Sequence, residues 1–225
     1  MKRPVLIIFF VLLVDQVLKL WIKTHMYLGQ EFRIADWFYI HFTENNGMAF
    51  GMEFAGENGK LILSLFRIIA VSGIGYYLYT IVKHQASGVL ITSMALIFAG
   101  AMGNIIDSTF YGVMFSGSEF QVAEFFPPEG GYASFLHGRV VDMFYFPIIE
   151  GYLPDWVPFW GGDYVVFFRP VFNVADSSIT IGVILLIFYQ SFIHPKERHQ
   201  QDVTEAEEQD EKISNDPDER SITER

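Results

Sequence analysis

The stretch Phe172-Asn173-Val174-Ala175-Asp176-Ser177-Ser178 places an aspartate just inside an apolar run that extends from Ile179 to Phe188. A carboxylate at the edge of hydrocarbon costs free energy, so an acid in this position indicates a functional site with a partner. A second stretch, Val140-Val141-Asp142-Met143-Phe144, also embeds an acid among apolar residues. Asp15 and Asp107 lie within or at the end of further apolar runs. These four acids predict a shared site.

The composition is typical of a membrane protein. Hydrophobic residues make up 51% of the 225 residues and aromatic residues 17%, and they lie in long blocks. The formal net charge of -11 argues against nucleic acid as a partner. The chain has no cysteine, which excludes disulfides, Cys-ligated zinc and thiol nucleophiles, and its six histidines form no HExxH pattern. We therefore expect neither a metal nor another cofactor.

Four apolar runs are long enough to be transmembrane helices. They cover residues 4–23, Leu61–Val82, Val89–Ile106 and about Phe172–Tyr189. The first resembles a secretory signal, but Asp15 and Lys19 interrupt it and no small-x-small cleavage site follows, so we interpret it as an uncleaved helix. The sequence predicts a membrane domain over residues 1–194. The acidic tail, 195–225, carries eleven acids and five bases and is predicted to be disordered.

The segments about 24–59 and 109–170 are predicted to lie outside the membrane. The first contains a short strand over Phe38–Phe42, and the second is rich in aromatic residues, glycine and proline, as expected of a folded flap or of a layer on the membrane interface. Basic residues flank the side that holds both termini: Lys2, Arg3, Lys83, Lys196 and Arg198. By the positive-inside rule this side is cytoplasmic, although three lysines lie at outer helix ends against the rule: Lys19, Lys23 and Lys60. Asp107, Asp142 and Asp176 then lie near the outer leaflet.

Several polar residues allow more than one interpretation. Asp15 and Lys19 are four residues apart on a helix, where they can form a satisfied ion pair or contact substrate. For Arg67, within the second helix, we favour a structural role. Taken alone, the Asn- and Gly-rich stretch at 44–51 is typical of an ordinary turn. Asp142 and Asp176 could also be helix caps.

A pair of carboxylates in a dry site suits peptide hydrolysis. Like charge and desolvation leave one acid protonated. The ionised acid can take a proton from water while the protonated acid polarises the peptide carbonyl, and returning the proton releases the amine.

Two other classes fit parts of the pattern. A small transporter or proton-coupled channel also uses intramembrane acids, but it would distribute them across the bilayer depth, whereas three of these acids lie near one surface. No inverted repeat of helices is apparent in the sequence. A noncatalytic scaffold with an aromatic flap that binds partner proteins is the second alternative.

Five blocks of sequence together resemble the lipoprotein signal peptidase family, also called signal peptidase II, over roughly residues 4–192. The blocks occur in the family's order: Asp15-Gln16-Val17-Leu18-Lys19, Asn45-x-Gly47-x-Ala49-Phe50, Gly100-Ala101-Met102-Gly103-Asn104-Ile105-Ile106-Asp107, Val140-Val141-Asp142-Met143-Phe144 and Phe172-Asn173-Val174-Ala175-Asp176.

The resemblance implies an intramembrane aspartic endopeptidase that cleaves bacterial prolipoproteins before a diacylglyceryl-modified cysteine. It makes Asp142 and Asp176 the catalytic dyad. The supporting residues that it implies are Asp15, Lys19, Asn45, Gly47, Asn104, Asp107 and Asn173. The expected fold is an all-α integral membrane protein, with four transmembrane helices, a small extracytoplasmic β cradle and an enlarged flap. The expected setting is the bacterial inner membrane, with prolipoproteins and membrane lipid as partners.

The chain departs from the family pattern in two places. Ser108 stands where the family usually has arginine after Asp107, and Arg139, three residues before Asp142, is a candidate replacement. The segments on either side of the fourth block are also longer than usual, which predicts the enlarged flap.

Overall fold

Long apolar helices dominate the computed structural model, which describes residues 2–46, 56–167 and 169–193. The predictions for Gly47 and for the tail from 195 onward fall outside these residues. The main helices are α1 (Lys2–His25), α2 (Gly56–Lys83), α3 (Gly88–Ile106) and α4 (Val174–Phe188). Within the described part of the chain, four helical segments are long and apolar enough to cross a membrane, which confirms the four predicted spans.

Small residues let α3 approach α4 closely. A Cβ atom added at Gly100 would lie 2.2 Å from the carbonyl oxygen of Ala175, and one added at Gly182 would lie 2.7 Å from Cγ1 of Ile97. Neither gap accommodates a side chain. Glycine at these two positions therefore permits the close helix packing that is common inside membranes.

The third span extends further than the sequence predicts. The predicted span ends at Ile106, but a π-helical turn, Asp107–Tyr111, and a last helical turn, Gly112–Met114, continue the helix. The Ser108 hydroxyl donates to the carbonyl of Asn104 at 3.0 Å. Most side chains of the π-helical turn are buried by the extramembrane layer, so tertiary packing extends the helix beyond the apolar run. The helix therefore continues to Met114, beyond the end of the apolar run.

Two small antiparallel sheets lie between the helices in sequence. The larger contains β1 (Glu31–Ala35), β2 (Phe38–Asn45), β3 (Val140–Tyr145) and β6 (Val171–Phe172), in the spatial order β1-β2-β3-β6. The smaller is a hairpin of β4 (Ile149–Tyr152) and β5 (Tyr164–Phe167). The predicted short strand forms the first part of β2.

Strand pairing brings distant parts of the chain together. Asp142 on β3 is opposite Thr43 on β2, and Phe144 on β3 is opposite Phe172 on β6. Because β6 ends two residues before α4 begins, the strand that carries Asp142 lies beside the segment that leads to Asp176.

The segment from 109 to 139 packs into a core. Tyr111, Phe115 and Ala123 are buried against Phe42 of β2 and Met143 of β3, and the end of α1 completes the same cluster. This part of the predicted flap is therefore integral to the fold.

Candidate active site

Asp176 lies in the first turn of α4 and takes part in its cap. The side-chain oxygen of Asn173 accepts a hydrogen bond from the Asp176 backbone N–H at 2.9 Å, and Asp176 Oδ2 accepts one from the Asn173 N–H at 3.3 Å. This capping box explains why the helix starts here. The other carboxylate oxygen, Oδ1, accepts a hydrogen bond from Asn104 Nδ2 at 2.8 Å. Asp176 is therefore both a capping residue and a neighbour of α3.

Asp142 is held on β3 with 4% of its surface exposed. Its Oδ1 accepts a hydrogen bond from Asn173 Nδ2 at 2.7 Å, and its Oδ2 accepts one from the side-chain amide of Asn45. Asn173 thus hydrogen-bonds to both aspartates, through its Nδ2 to Asp142 and through its Oδ1 to Asp176. The structure brings the two predicted acids to one place.

The surroundings of Asp142 favour its neutral form. Burial raises the pKa of Asp142 to about 7, and the negative charge of Asp176 contributes to the increase. Three interactions oppose this increase in the pKa: the hydrogen bonds from Asn45 and Asn173 and the positive charge of Lys19. Such a pair can retain one proton near neutral pH and perform acid and base chemistry together.

A buried ion cluster holds the backbone beside both acids. Lys19 Nζ lies 2.9 Å from Asp15 Oδ2, 2.7 Å from Asp107 Oδ2 and 2.9 Å from Asn104 Oδ1. Asp15 Oδ1 accepts a hydrogen bond from the N–H of Ala175 at 2.9 Å.

Asp107 makes the corresponding contact with the strand that carries Asp142, because its Oδ2 accepts a hydrogen bond from the N–H of Val141 at 3.3 Å. Ala175 and Val141 directly precede Asp176 and Asp142. These contacts favour the satisfied ion pair over substrate contact for Lys19, whose side chain is fully buried.

Three residues in this region were not among the site residues assigned from the sequence. Gln16 donates through Nε2 to Asp15 at 3.1 Å and to Asp107 at 3.0 Å, so it joins the two acids. Lys23 and Glu44 form a further buried ion pair at 2.5 Å. The four-residue spacing from Lys19 to Lys23 was a usable signal, because it places both lysines on one helix face.

Arg139 and Arg67 are the two arginines for which the sequence suggested a role. Arg139 Nη1 lies 3.0 Å from Glu119 Oε1 and 3.4 Å from Glu44 Oε2. These contacts direct the guanidinium to the glutamates, and its replacement of the family arginine stays a prediction. The structural role of Arg67 of α2 stays a prediction, and the charge of Asp176 acts on its guanidinium group.

Among the residues described, no group of three or more His, Cys, Asp or Glu side chains is arranged to hold a metal ion. The polar groups at the site are carboxylates, asparagine amides and a buried ammonium group. Their chemistry is that of proton transfer and hydrogen bonding.

Similar proteins identify the family. The family profile described as signal peptidase (SPase) II matches residues 7–192. A lipoprotein signal peptidase from Porphyromonas gingivalis is 57% identical over 182 residues, which cover 80% of this chain and 79% of the relative. One from Amoebophilus asiaticus is 41% identical over 178 residues, which cover 77% of this chain and 71% of the relative.

Two solved structures, each described as a bacterial membrane enzyme structure obtained by the in meso method, are 28% identical to this chain. The one at 1.9 Å resolution has a TM-score of 0.54 and covers 86% of this chain and 95% of its own. The one at 2.3 Å has a TM-score of 0.53, with 84% and 88% covered. With the profile match across the four helices, these similarities establish that the chain belongs to the signal peptidase II family.

Proposed function

We propose that Asp142 and Asp176 are the catalytic dyad with which this intramembrane aspartic endopeptidase removes signal peptides from bacterial prolipoproteins. The scissile bond precedes the diacylglyceryl-modified cysteine. One observation carries the assignment: Asn173 hydrogen-bonds to the Asp142 carboxylate and to the Asp176 backbone, at the point where the sheet meets a membrane-spanning helix. Two acids sharing a bridging residue at the membrane border suit a substrate that is anchored in lipid.

The geometry supports a division of roles. Asp142, with its pKa raised to about 7, holds the shared proton in this proposal, and Asp176 acts as the base. Asp176 takes a proton from water as the water oxygen forms its bond to the peptide carbonyl carbon, and Asp142 protonates the carbonyl oxygen. Collapse of the tetrahedral intermediate breaks the C–N bond. The proton on Asp176 passes to the leaving nitrogen, and the hydroxyl proton returns to Asp142.

The supporting residues act on the dyad without taking part in bond breaking. Asn45, Asn104 and Asn173 orient the carboxylates, and the ion cluster of Asp15, Lys19 and Asp107 fixes the backbone next to each acid. Such positioning matters because proton transfer is sensitive to small displacements. Gly47 remains a supporting residue by resemblance alone.

The orientation proposed for the membrane domain, residues 1–194, puts both termini and the acidic tail in the cytoplasm. The positive-inside rule supports it, since Lys2 and Arg3 begin α1 and Lys83 ends α2. The chain has no native cysteine, so single substitutions can test the topology. Glu129→Cys should react in intact cells with a membrane-impermeant maleimide, and His84→Cys should react only after lysis. The reverse pattern would contradict the orientation.

The larger sheet corresponds in this proposal to the cradle, and the β4–β5 hairpin forms part of the flap, resting on lipid. At the tip of the hairpin, 81% of the surface of Trp156 and 97% of the surface of Phe159 are exposed. A two-stranded hairpin alone is marginally stable in water, and tryptophan favours the membrane interface. Trp156 emission from a variant with the other three tryptophans changed to phenylalanine should be quenched by headgroup-brominated lipid in nanodiscs. Unquenched emission with full access to acrylamide would reject lipid contact.

The direct test of the function is a cleavage assay. The purified protein is incubated with a diacylglyceryl-modified prolipoprotein and, in parallel, with the same precursor lacking the lipid. Mass spectrometry should find a new amino terminus at the modified cysteine only for the lipidated precursor. Cleavage elsewhere, or equal cleavage of both precursors, would overturn the substrate assignment. A transporter or scaffold would leave both precursors intact.

A further inference from the structure

Lys23 forms a second buried ion cluster, one helical turn beyond Lys19 on the same face of α1. Its Nζ lies 2.5 Å from Glu44 Oε1 and 2.7 Å from Ser118 Oγ. The lysine side chain is fully buried, and that of Glu44 is 2% exposed. The ammonium group also lies over the rings of Phe42, Phe115 and Tyr132, at 5.9, 5.4 and 4.9 Å from their centroids.

Glu44 joins three separate parts of the chain. Through Oε1 it contacts Lys23 of α1, and Ser118 Oγ lies 3.5 Å from the same oxygen. Through Oε2 it contacts Arg139, the residue directly before β3, at 3.4 Å. Burying an ion pair carries a desolvation cost, which these additional partners offset. Glu44 thus ties β2 to α1, to the loop that carries Ser118 and to the start of β3.

The strand register connects this cluster to the dyad. Glu44 is opposite Val141 on β3, and the next residue, Asn45, donates its side-chain hydrogen bond to Asp142. A movement of β2 at Glu44 would therefore displace the amide that binds Asp142. Of the residues in this cluster, the sequence analysis had considered only Arg139 for the site.

We propose that Glu44 is a positioning residue for the reaction, which holds Asn45 against Asp142 through its contacts with Lys23 and Arg139. The inference rests on the proposed dyad. It adds a second buried ion pair, one helical turn along α1 from the cluster formed by Lys19. Glu44 acts through Asn45 and does not touch the reacting atoms.

The first test compares Glu44→Gln with Glu31→Gln. Glu31 is the matched control, because it also pairs with a basic residue across β1 and β2, namely His41, but at an exposed edge. Glu44→Gln should lower kcat by about tenfold to a hundredfold, the effect expected from weakening one hydrogen bond to a charged group, and leave KM within about twofold. Glu31→Gln should retain the wild-type values.

The pH profile distinguishes positioning from a general loss of stability. The Asn45 hydrogen bond opposes the increase in the pKa of Asp142. Weakening this hydrogen bond should therefore move the alkaline limb of the pH profile of kcat/KM to higher pH. The other groups around Asp142 remain in the variant: Asp176 of α4, Lys19 of α1 and Asn173. Glu44 contacts Lys23, Arg139 and Ser118, and it interacts electrostatically with Lys60 of α2 and with Tyr132. A smaller folded fraction alone would not move the limb.

The double variant Lys23→Met/Glu44→Gln keeps the test informative if Glu44→Gln does not fold. Removing both buried charges should restore the thermal unfolding temperature, because neither charge is left unpaired. By our proposal this folded variant still has a reduced kcat and the shifted limb. Wild-type kcat and an unshifted alkaline limb of the pH profile in the double variant would overturn the proposal. Asp142→Asn, assayed in parallel, tests the dyad separately, since retained turnover there would refute the dyad assignment and not the role of Glu44.

Discussion

Asn173 donates a hydrogen bond of 2.7 Å to Asp142, although the two residues belong to different elements and Asn173 also caps the helix that carries Asp176. The start of α4 and the orientation of the acid on β3 therefore depend on one side chain. An asparagine can do both because its amide offers donors on nitrogen and an acceptor on oxygen.

Asn173→Ser should separate these two roles. Serine caps helices about as well as asparagine, so the unfolding temperature should stay within about 3 °C of wild type. Its hydroxyl is too short to replace the contact with Asp142, so kcat should fall by about tenfold to a hundredfold. Thermal denaturation in detergent and steady-state cleavage kinetics measure the two effects. Full kcat in this variant would mean that the bridge to Asp142 is unimportant.

The pH dependence of cleavage should follow Asp142. Its pKa is raised from 3.8 to about 7, so it keeps its proton up to neutral pH and loses it above. We therefore expect kcat/KM of the wild type to fall by about tenfold per pH unit above that value, as the dyad loses its one proton. Asn45→Ala removes a hydrogen bond that favours the charged form and should move the fall to higher pH. A wild-type profile that stays flat to about pH 9 would contradict this assignment.

Lys19 should be essential for folding. Lys19→Met leaves Asp15 and Asp107 buried without their shared cation, and breaking a buried ion pair in this way costs about 3–5 kcal/mol. The expected result is a large drop in the unfolding temperature and in the yield of folded protein. Arg33→Met is the matched control, because it breaks the exposed pair with Asp36 and should change little. Equal stability of the two variants would show that the cluster is not needed.

The sequence predicted the spans well because hydropathy is local. It did not predict the π-helical turn after Asp107, since burial of that turn depends on packing by distant residues. We interpreted Lys23 as a charge at an outer helix end, but the structure buries it against Glu44 and Ser118. Those partners lie 21 and 95 residues away in sequence, so the spacing from Lys19 to Lys23 could mark the lysine but not its partners.

For the site, as for the fold, the sequence predicted the residues involved but not the contacts between them. The five blocks of sequence contain nearly all the residues that surround the two acids, including Gln16. The blocks do not indicate which side chain bridges the dyad or which backbone groups Asp15 and Asp107 hold. Those contacts depend on the pairing of β3 with β6 and on the close approach of α3 to α4.

The most direct test of the central claim is the cleavage rate of Asp142→Asn and Asp176→Asn on a lipidated prolipoprotein, measured beside the exposed control Asp36→Asn. We predict a loss of at least about a thousandfold in kcat for each dyad variant, since the acid or the base is missing. All three variants should fold, and the control should keep its activity. Turnover near the wild-type rate by either folded dyad variant would contradict the account.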